Sequence, residues 1–296
     1  MNCEKYIYAG NRSTVLRRMI SLGLDVQHVL PTAGSWLERE MPELGLPYTA
    51  VASKKQAIDF LSSQKFDVFV STGFRFILPI TQLQGVHPDT KFVNIHPSFL
   101  PDLRGADPIP GAVLFRRDSG VTCHIMDDGV DTGAIICQRK IPHFNGVDAK
   151  LLYHLCFRLE PEVFQEALDK SFEPIAAIPT TGSELLYFSF QLDDDRLNAA
   201  DTAEQLTSRV RAFNTPSKGL RFAVESRSYK AFGASIIDQS EITHVLGGAE
   251  KFRILAVFDE SIVIGHIDRL VRLDGIHPKP TNELIGMYIQ VPQINM

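Results

Sequence analysis

Short apolar runs alternate with stretches of helical period along the first half of the chain. Lys5–Gly10 (KYIYAG) is nearly continuous in apolar residues and predicts a strand; Val15, Leu16, Met19 and Ile20 then recur at helical spacing, with Ser13 placed to cap that helix. Strands are predicted over Asp25–Leu30, Pro47–Val51 and Phe66–Ser71, and helices over Ser35–Glu43 and Ser53–Ser63, the latter carrying Ala57, Ile58, Phe60 and Leu61. Next come a strand over Lys91–His96, a loop over Pro97–Gly105, and a helix beginning near Asp107 or Pro108, where Asp before Pro suits a cap followed by the first helical residue. Gly120–Met126 and Ala134–Ile141 read as strands flanking an Asp-rich turn. Lys150–Leu168 places Leu151, Leu152, Leu155, Leu159, Val163, Phe164 and Leu168 on one helical face.

Apolar strands alternating with helices predict an α/β, Rossmann-like, mostly parallel sheet with helices on both faces, whose ligands sit beyond the carboxyl ends of the strands. After a Pro-containing linker at Glu173–Thr181 the period changes. One helix (Thr202–Phe213) is followed by short β-like runs at Gly219–Val224, Tyr229–Ile237, Phe252–Phe258, Ser261–Ile267 and Met287–Val291. The reading is a domain over residues 1–175 and a smaller β-rich domain over 182–296.

A formal charge of −5 and a pI near 6.0 disfavour a nucleic-acid surface, so small molecules are the expected partners. Cys3, Cys123, Cys137 and Cys156 show no C-x-x-C spacing, which fits a reduced, cytoplasmic setting. A leader and a membrane span are not expected.

The chemistry concentrates between Phe92 and Gly133. Asn94 and His96 lie two apart on a predicted strand and so share a face, and an Asp- and Gly-rich turn follows with Asp127, Asp128, Gly129, Asp131 and Gly133. A metal is not expected, because the Asp spacing fails the EF-hand pattern and the ligand set does not close a shell. Ser98 beside His96 lacks the G-x-S-x-G elbow of a nucleophile, and Cys123 and His124 read as packing residues. Acyl transfer from a bound donor to an amine uses all three polar groups: an amide to donate to the oxyanion, an imidazole to move the proton, a carboxylate to orient that imidazole. Residues Ser71–Pro79 (STGFRFILP) leave a strand end with aromatic and aliphatic side chains suited either to packing under a loop or to a flat apolar heterocycle. The turn at Gly10, Asn11, Arg12 and Ser13 forms either a plain strand-to-helix connection or an anion nest at a helix start.

The segments NIHPSFLP, RGADPI and GVTCHIMDDGVDTGAI together resemble the signature of the formyltransferases that use 10-formyltetrahydrofolate, over roughly residues 1–170. The resemblance implies Asn94, His96 and Asp131 as the catalytic trio, and Arg75, Phe76, Ile77, Leu78, Asp128, Gly129 and Val130 around the pterin of the 10-formyltetrahydrofolate donor, without a metal. AGNRST at Ala9–Thr14 is similar to the phosphate loop of the glycinamide ribonucleotide enzyme, but the added C-terminal domain looks more like methionyl-tRNA or sugar formyltransferases. An anionic chain with such a loop points to a nucleotide-linked amino sugar, of the kind used in lipopolysaccharide O-antigen biosynthesis, over tRNA. Gly10, Asn11, Arg12, Ser13, Pro97, Ser98, Arg104 and Gly105 are then the expected acceptor-binding residues, and a homodimer the expected assembly. Methionyl-tRNA or another small amine is the alternative acceptor. Outside the enzymes, a protein that binds folate or a nucleotide without chemistry is the competing class.

Overall fold

The computed structural model describes residues 4–175, 177, 185–237, 242, 245–246, 250–267 and 269–291. Cys3 and, within the expected linker, residues 176 and 178–181 lie outside the described residues. The chain divides into two compact units, one of residues up to Pro108, Asp118–Pro142 and His154–Ser189, the other of Ile109–Arg117, His143–Tyr153 and Phe190 onward.

The first unit is built on a six-stranded sheet. Its strands are β1 (Lys5–Gly10), β2 (Asp25–Pro31), β3 (Val68–Thr72), β4 (Lys91–His96), β5 (Ser119–Ile125) and β6 (Ile135–Ile141), in the order β2-β1-β3-β4-β5-β6. β1 to β4 run parallel, and β4–β5 and β5–β6 pair antiparallel. All five residues of β3 are buried. Because successive side chains point to opposite faces, this means that the sheet is covered on both sides, as continuous apolar runs require.

Its helices are α1 (Thr14–Ser21), α2 (Trp36–Leu44), α3 (Lys54–Ser63) and a short α4 (Ile80–Val86); α5 (Pro108–Leu114) and α6 (Ala149–Asp169) have residues in both units. Ser35 and Ser53 cap α2 and α3 by accepting from the amides of Glu38 and Gln56. Ser13 stands at the cap position of α1 but makes no cap bond with its side chain. The expected strand at Pro47–Val51 is reduced to isolated bridges of Tyr48 to Val29 and Val51 to Thr32. Two prolines of the neighbourhood, Pro31 and Pro47, remove donors that a full ladder would use. Helix α4 was not expected, since its seven residues are too few to display a helical period.

The second unit holds α7 (Ala203–Ala212), opened by a reciprocal Thr202–Gln205 capping box, and two antiparallel sheets. The expected run Tyr229–Ile237 is two strands, β8 (Arg227–Ala231) and β9 (Gly233–Ile237), which part at Phe232, whose amide bonds Asp274 O instead. β7 (Leu220–Val224), β8 and the two-residue β13 (Ile289–Gln290) form one sheet. β9, β10 (Ile254–Phe258), β11 (Ser261–His266) and β12 (Arg269–Asp274) form the other. β12 was missed because Arg269, Arg272 and Asp274 mask its buried Leu270, Val271 and Leu273. Leu206 and Val210 of α7 pack with Leu220, Ile262, Ile264, Val271 and Leu273 in one core. Among the described residues no helix is long and apolar enough to cross a membrane.

Candidate active site

The candidate site lies at the carboxyl end of β4 in the first unit. The register there pairs Asn94 with His124 and His96 with Thr122 of β5. Residues opposite one another across a ladder share a face, so four polar side chains converge on one patch of an apolar sheet.

Asp131 enters from the turn after β5. Its backbone is left-handed, with φ of 53°, a conformation costly for a residue with a Cβ and one that recurs where geometry is held for function. Its Oδ2 accepts the Gly105 amide at 3.0 Å, and its Oδ1 lies 3.4 Å from Asn94 Nδ2, 3.5 Å from His96 Nδ1 and 3.6 Å from His124 Nε2. Burial alone would raise this carboxyl; His96, His124 and the Gly105 amide outweigh it and hold Asp131 well below the usual carboxylate range. It is therefore the anion of the site.

His96 is 5% exposed and its Nε2 faces Leu103 O at 3.0 Å, which assigns the proton to Nε2. Burial lowers its pKa below the ordinary 6.5 more than Asp131 and Leu103 raise it. The ring is neutral at neutral pH, with the Nδ1 lone pair directed at Asp131. A proton taken up at Nδ1 would be received by that carboxylate.

His124, read from the sequence as packing, is part of this cluster. Its Nδ1 donates to Ile125 O at 2.7 Å, which leaves Nε2 to accept from Asn94 Nδ2 at 3.2 Å. Both amide hydrogens of Asn94 are thus engaged, one by His124 and one by Asp131, and the longer contact to Asp131 is the weaker of the two. The signal for His124 was the Thr122-x-His124 alternation, unreadable without the register that sets it against Asn94-x-His96.

The two segments expected around a pterin meet. Asp128 Oδ1 accepts the Thr81 amide at 3.0 Å at the start of α4, so the Asp-rich turn is fastened just beyond the Gly73–Leu78 segment, and the Thr81 hydroxyl, with that amide second, lowers the Asp128 carboxyl. Asp127 holds the turn itself, accepting from the Gly129 amide and Thr132 hydroxyl. Phe74 and Phe76 are half-buried and meet edge-on at 5.4 Å; Arg75 lies over Phe76; Ile77 is 54% exposed; Leu78 is core. Val130 is half-buried and Gly129 exposed on the facing turn.

Gly10 is required by space, since a Cβ there would lie 2.3 Å from Thr72 O. The turn that follows it is filled by its own side chains. Arg12 donates from Nε to both carboxylate oxygens of Glu160 at 3.0 Å and lies over Phe157, and Thr14 donates to the same carboxylate at 2.7 Å. Ser13 donates to Glu40 and accepts from Arg17. Asn11 accepts from Arg12 and packs against Gly73, where a Cβ would fall 2.5 Å from Asn11 Oδ1 and 2.1 Å from Arg12 Nη1. The expected anion nest therefore holds two carboxylates of the chain, and Arg12 is committed to one of them. Neither Glu40 nor Glu160 has a local sequence cue, being 27 and 148 residues from their partners.

Ser98 is fully buried with its hydroxyl on Asp102 O, and Pro97 is half-buried beside it. Arg104 is half-buried, and its backbone is bridged to Leu186 and Phe188. Gly105, with φ of 105°, approaches Phe188 O so closely that a Cβ would lie 2.6 Å from it. Among the described residues no three of His, Cys, Asp and Glu are grouped to hold a metal ion.

Two family models match the chain: formyl transferase over residues 31–168 and formyl transferase, C-terminal domain, over residues 191–285. Methionyl-tRNA formyltransferase of Legionella pneumophila is 28% identical over 218 residues, 72% of this chain and 69% of the relative. That of Sphingopyxis alaskensis is 31% identical over 206 residues, 67% of this chain and 65% of the relative. Among solved structures, an N-formyltransferase from Helicobacter canadensis in complex with folinic acid and dTDP-3-aminofucose superposes with a TM-score of 0.67 at 19% identity, covering 92% of this chain and 98% of that one. WlaRD, a sugar 3N-formyltransferase, gives 0.66 at 19% identity with 93% and 98% covered. The chain belongs to the formyl transferase family, with the family's N-terminal and C-terminal domains both represented.

Proposed function

We propose that this protein transfers a formyl group from 10-formyltetrahydrofolate to the amine of a nucleotide-linked amino sugar. The observation that carries the reaction is the convergence of Asn94, neutral His96 and ionised Asp131 within 3.5 Å at one strand end. The donor supplies an electrophilic formyl carbon. The acceptor nitrogen bonds to that carbon, the bond from the carbon to the donor nitrogen breaks, and the amine's proton passes to His96 and on to the leaving nitrogen. Asp131 stabilises the protonated ring meanwhile, and Asn94 turns one N–H from Asp131 to the carbonyl oxygen. On this reading the donor's pterin lies between Phe76 and Ile77 on one side and Asp128, Gly129 and Val130 on the other, supported by the Asp128–Thr81 bond that joins the two segments. Folinic acid or 5-N-formyltetrahydrofolate accompanies both sugar enzymes of like fold.

For the acceptor, the sugar reading is supported by the full-length likeness to those two enzymes, 98% of each being covered, and by the net charge of −5. With Arg12 bound to Glu160, the acceptor's phosphates fall to Arg104, whose neighbour Gly105 bonds Asp131. The second reading, methionyl-tRNA, is favoured by the names of the curated relatives, of which the chain spans between 46% and 69% of the length. A cytoplasmic homodimer remains the expected form. Incubating the protein with 10-formyltetrahydrofolate and dTDP-, UDP- and GDP-linked amino sugars should yield one formamide product. Turnover of methionyl-tRNA alone would replace the acceptor and leave the reaction standing.

A further inference from the structure

A cleft of about 370 Å³ opens within the second unit, between the turn at Arg116, the His143–Val147 loop, α7 and the start of β9. Its size is that of a small-molecule site. Its chemistry is unlike that of the apolar core beneath it. Arg116 is exposed, carries a left-handed backbone, φ 54°, and holds its guanidinium within electrostatic reach of Glu204. Arg211 spends one N–H on Ala234 O at 3.3 Å and keeps the rest of its fork. The single acid of the lining, Glu204, is paired with Arg269 at 2.5 Å and lies within electrostatic reach of Arg116, so the two lining guanidinia face one carboxylate already shared with a third arginine. Ser208 adds a hydroxyl, and Phe144, 39% exposed, presents a ring at the wall.

Two guanidinia against one shared carboxylate leave the cleft an excess of positive charge, and beside an exposed aromatic ring this suits a ligand that has phosphate oxygens at one end and a flat ring at the other. Arg forks match phosphate oxygens, and aromatic faces stack on bases. We propose that this cleft is a binding site for a nucleoside phosphate, in the second unit and built from none of the residues at Asn94, His96 and Asp131. It binds the phosphate through Arg116 and Arg211 and the base against Phe144, and takes no part in the formyl transfer.

The test is isothermal titration of the full chain, without folate, using inorganic pyrophosphate, UDP and dTDP as probes. Saturable binding is expected, tighter for the nucleotides than for pyrophosphate, and weakened about ten-fold or more by Arg211→Gln or by Arg116→Gln, the loss of one charged hydrogen bond. Arg116 is exposed, so its variant leaves the fold intact. Phe144→Ala should erase the nucleotide's advantage over pyrophosphate. Arg104→Ala should leave this binding in place. Nucleotide binding that Arg104→Ala alone abolishes, or that both arginine variants retain when made in the Arg104→Ala background, overturns the proposal, as does the absence of saturable binding by all three probes.

Discussion

Glu160 places a fully buried carboxylate against the Arg12 guanidinium, itself 13% exposed, across 148 residues of sequence. The pair ties α6 to the first turn, and Thr14 takes the same carboxylate. Removing one partner strands the other charge out of water, at a cost of roughly 3–5 kcal/mol. Glu160→Ala should therefore lower the urea midpoint sharply, and Glu160→Gln, which keeps hydrogen bonds to Thr14, less so. A Glu160→Ala protein as stable as its parent would show that the pair carries no such weight.

Asp131 is the anion beside His96. Asp131→Asn keeps the shape, removes the charge that receives the protonated ring, and should lower kcat by at least about 10²-fold, the ordinary scale of general acid–base assistance. Far-ultraviolet circular dichroism should be unchanged. A variant with near-normal turnover would remove Asp131 from the proton path.

His96 titrates below its ordinary 6.5 because it is buried. The base that takes the amine's proton is the neutral ring, so kcat/KM should be flat at neutral pH and fall on acidification with a midpoint below 6.5. Stability follows the same sign. The unfolded chain binds this proton first as pH drops, so the His96 contribution is complete above 6.5 and is lost as pH falls through the lower folded value. NMR titration of the His96 ring reads the pKa directly, and a value above 6.5 would contradict both statements.

His124 holds the Asn94 amide through a 3.2 Å bond. His124→Phe frees that N–H and lets the amide swing. The expected result is a kcat about ten-fold lower, the scale of one misdirected hydrogen bond, with the folate KM unchanged. His124→Gln, which can still accept, should recover part of the loss. Equal turnover in the Phe variant and the parent would make His124 a packing residue after all.

Gly73 sits at φ +60°, with Arg12 Nη1 and Asn11 Oδ1 where a Cβ would be. Gly73→Ala should cost about 1 kcal/mol for the backbone alone and more for the displaced side chains, and should raise the folate KM by shifting the segment that follows. Unaltered folate affinity in a destabilised variant would separate this glycine from the donor slot.

The sequence by itself determined the face shared by Asn94 and His96, because side chains two apart on a strand always share one. It also determined the α/β alternation of the first unit and the glycine-rich turn bearing Asp131, since periodicity and turn chemistry act over a few residues. It left β12 and α4 unseen, where charge or brevity hid the period. Only the tertiary structure could decide what depends on register and long-range pairing: His124 opposite Asn94, Asp128 on the Thr81 amide, and above all the carboxylates of Glu40 and Glu160 at the turn where a phosphate was expected. Such contacts are set by which elements pack together, and no local pattern encodes a partner 148 residues away.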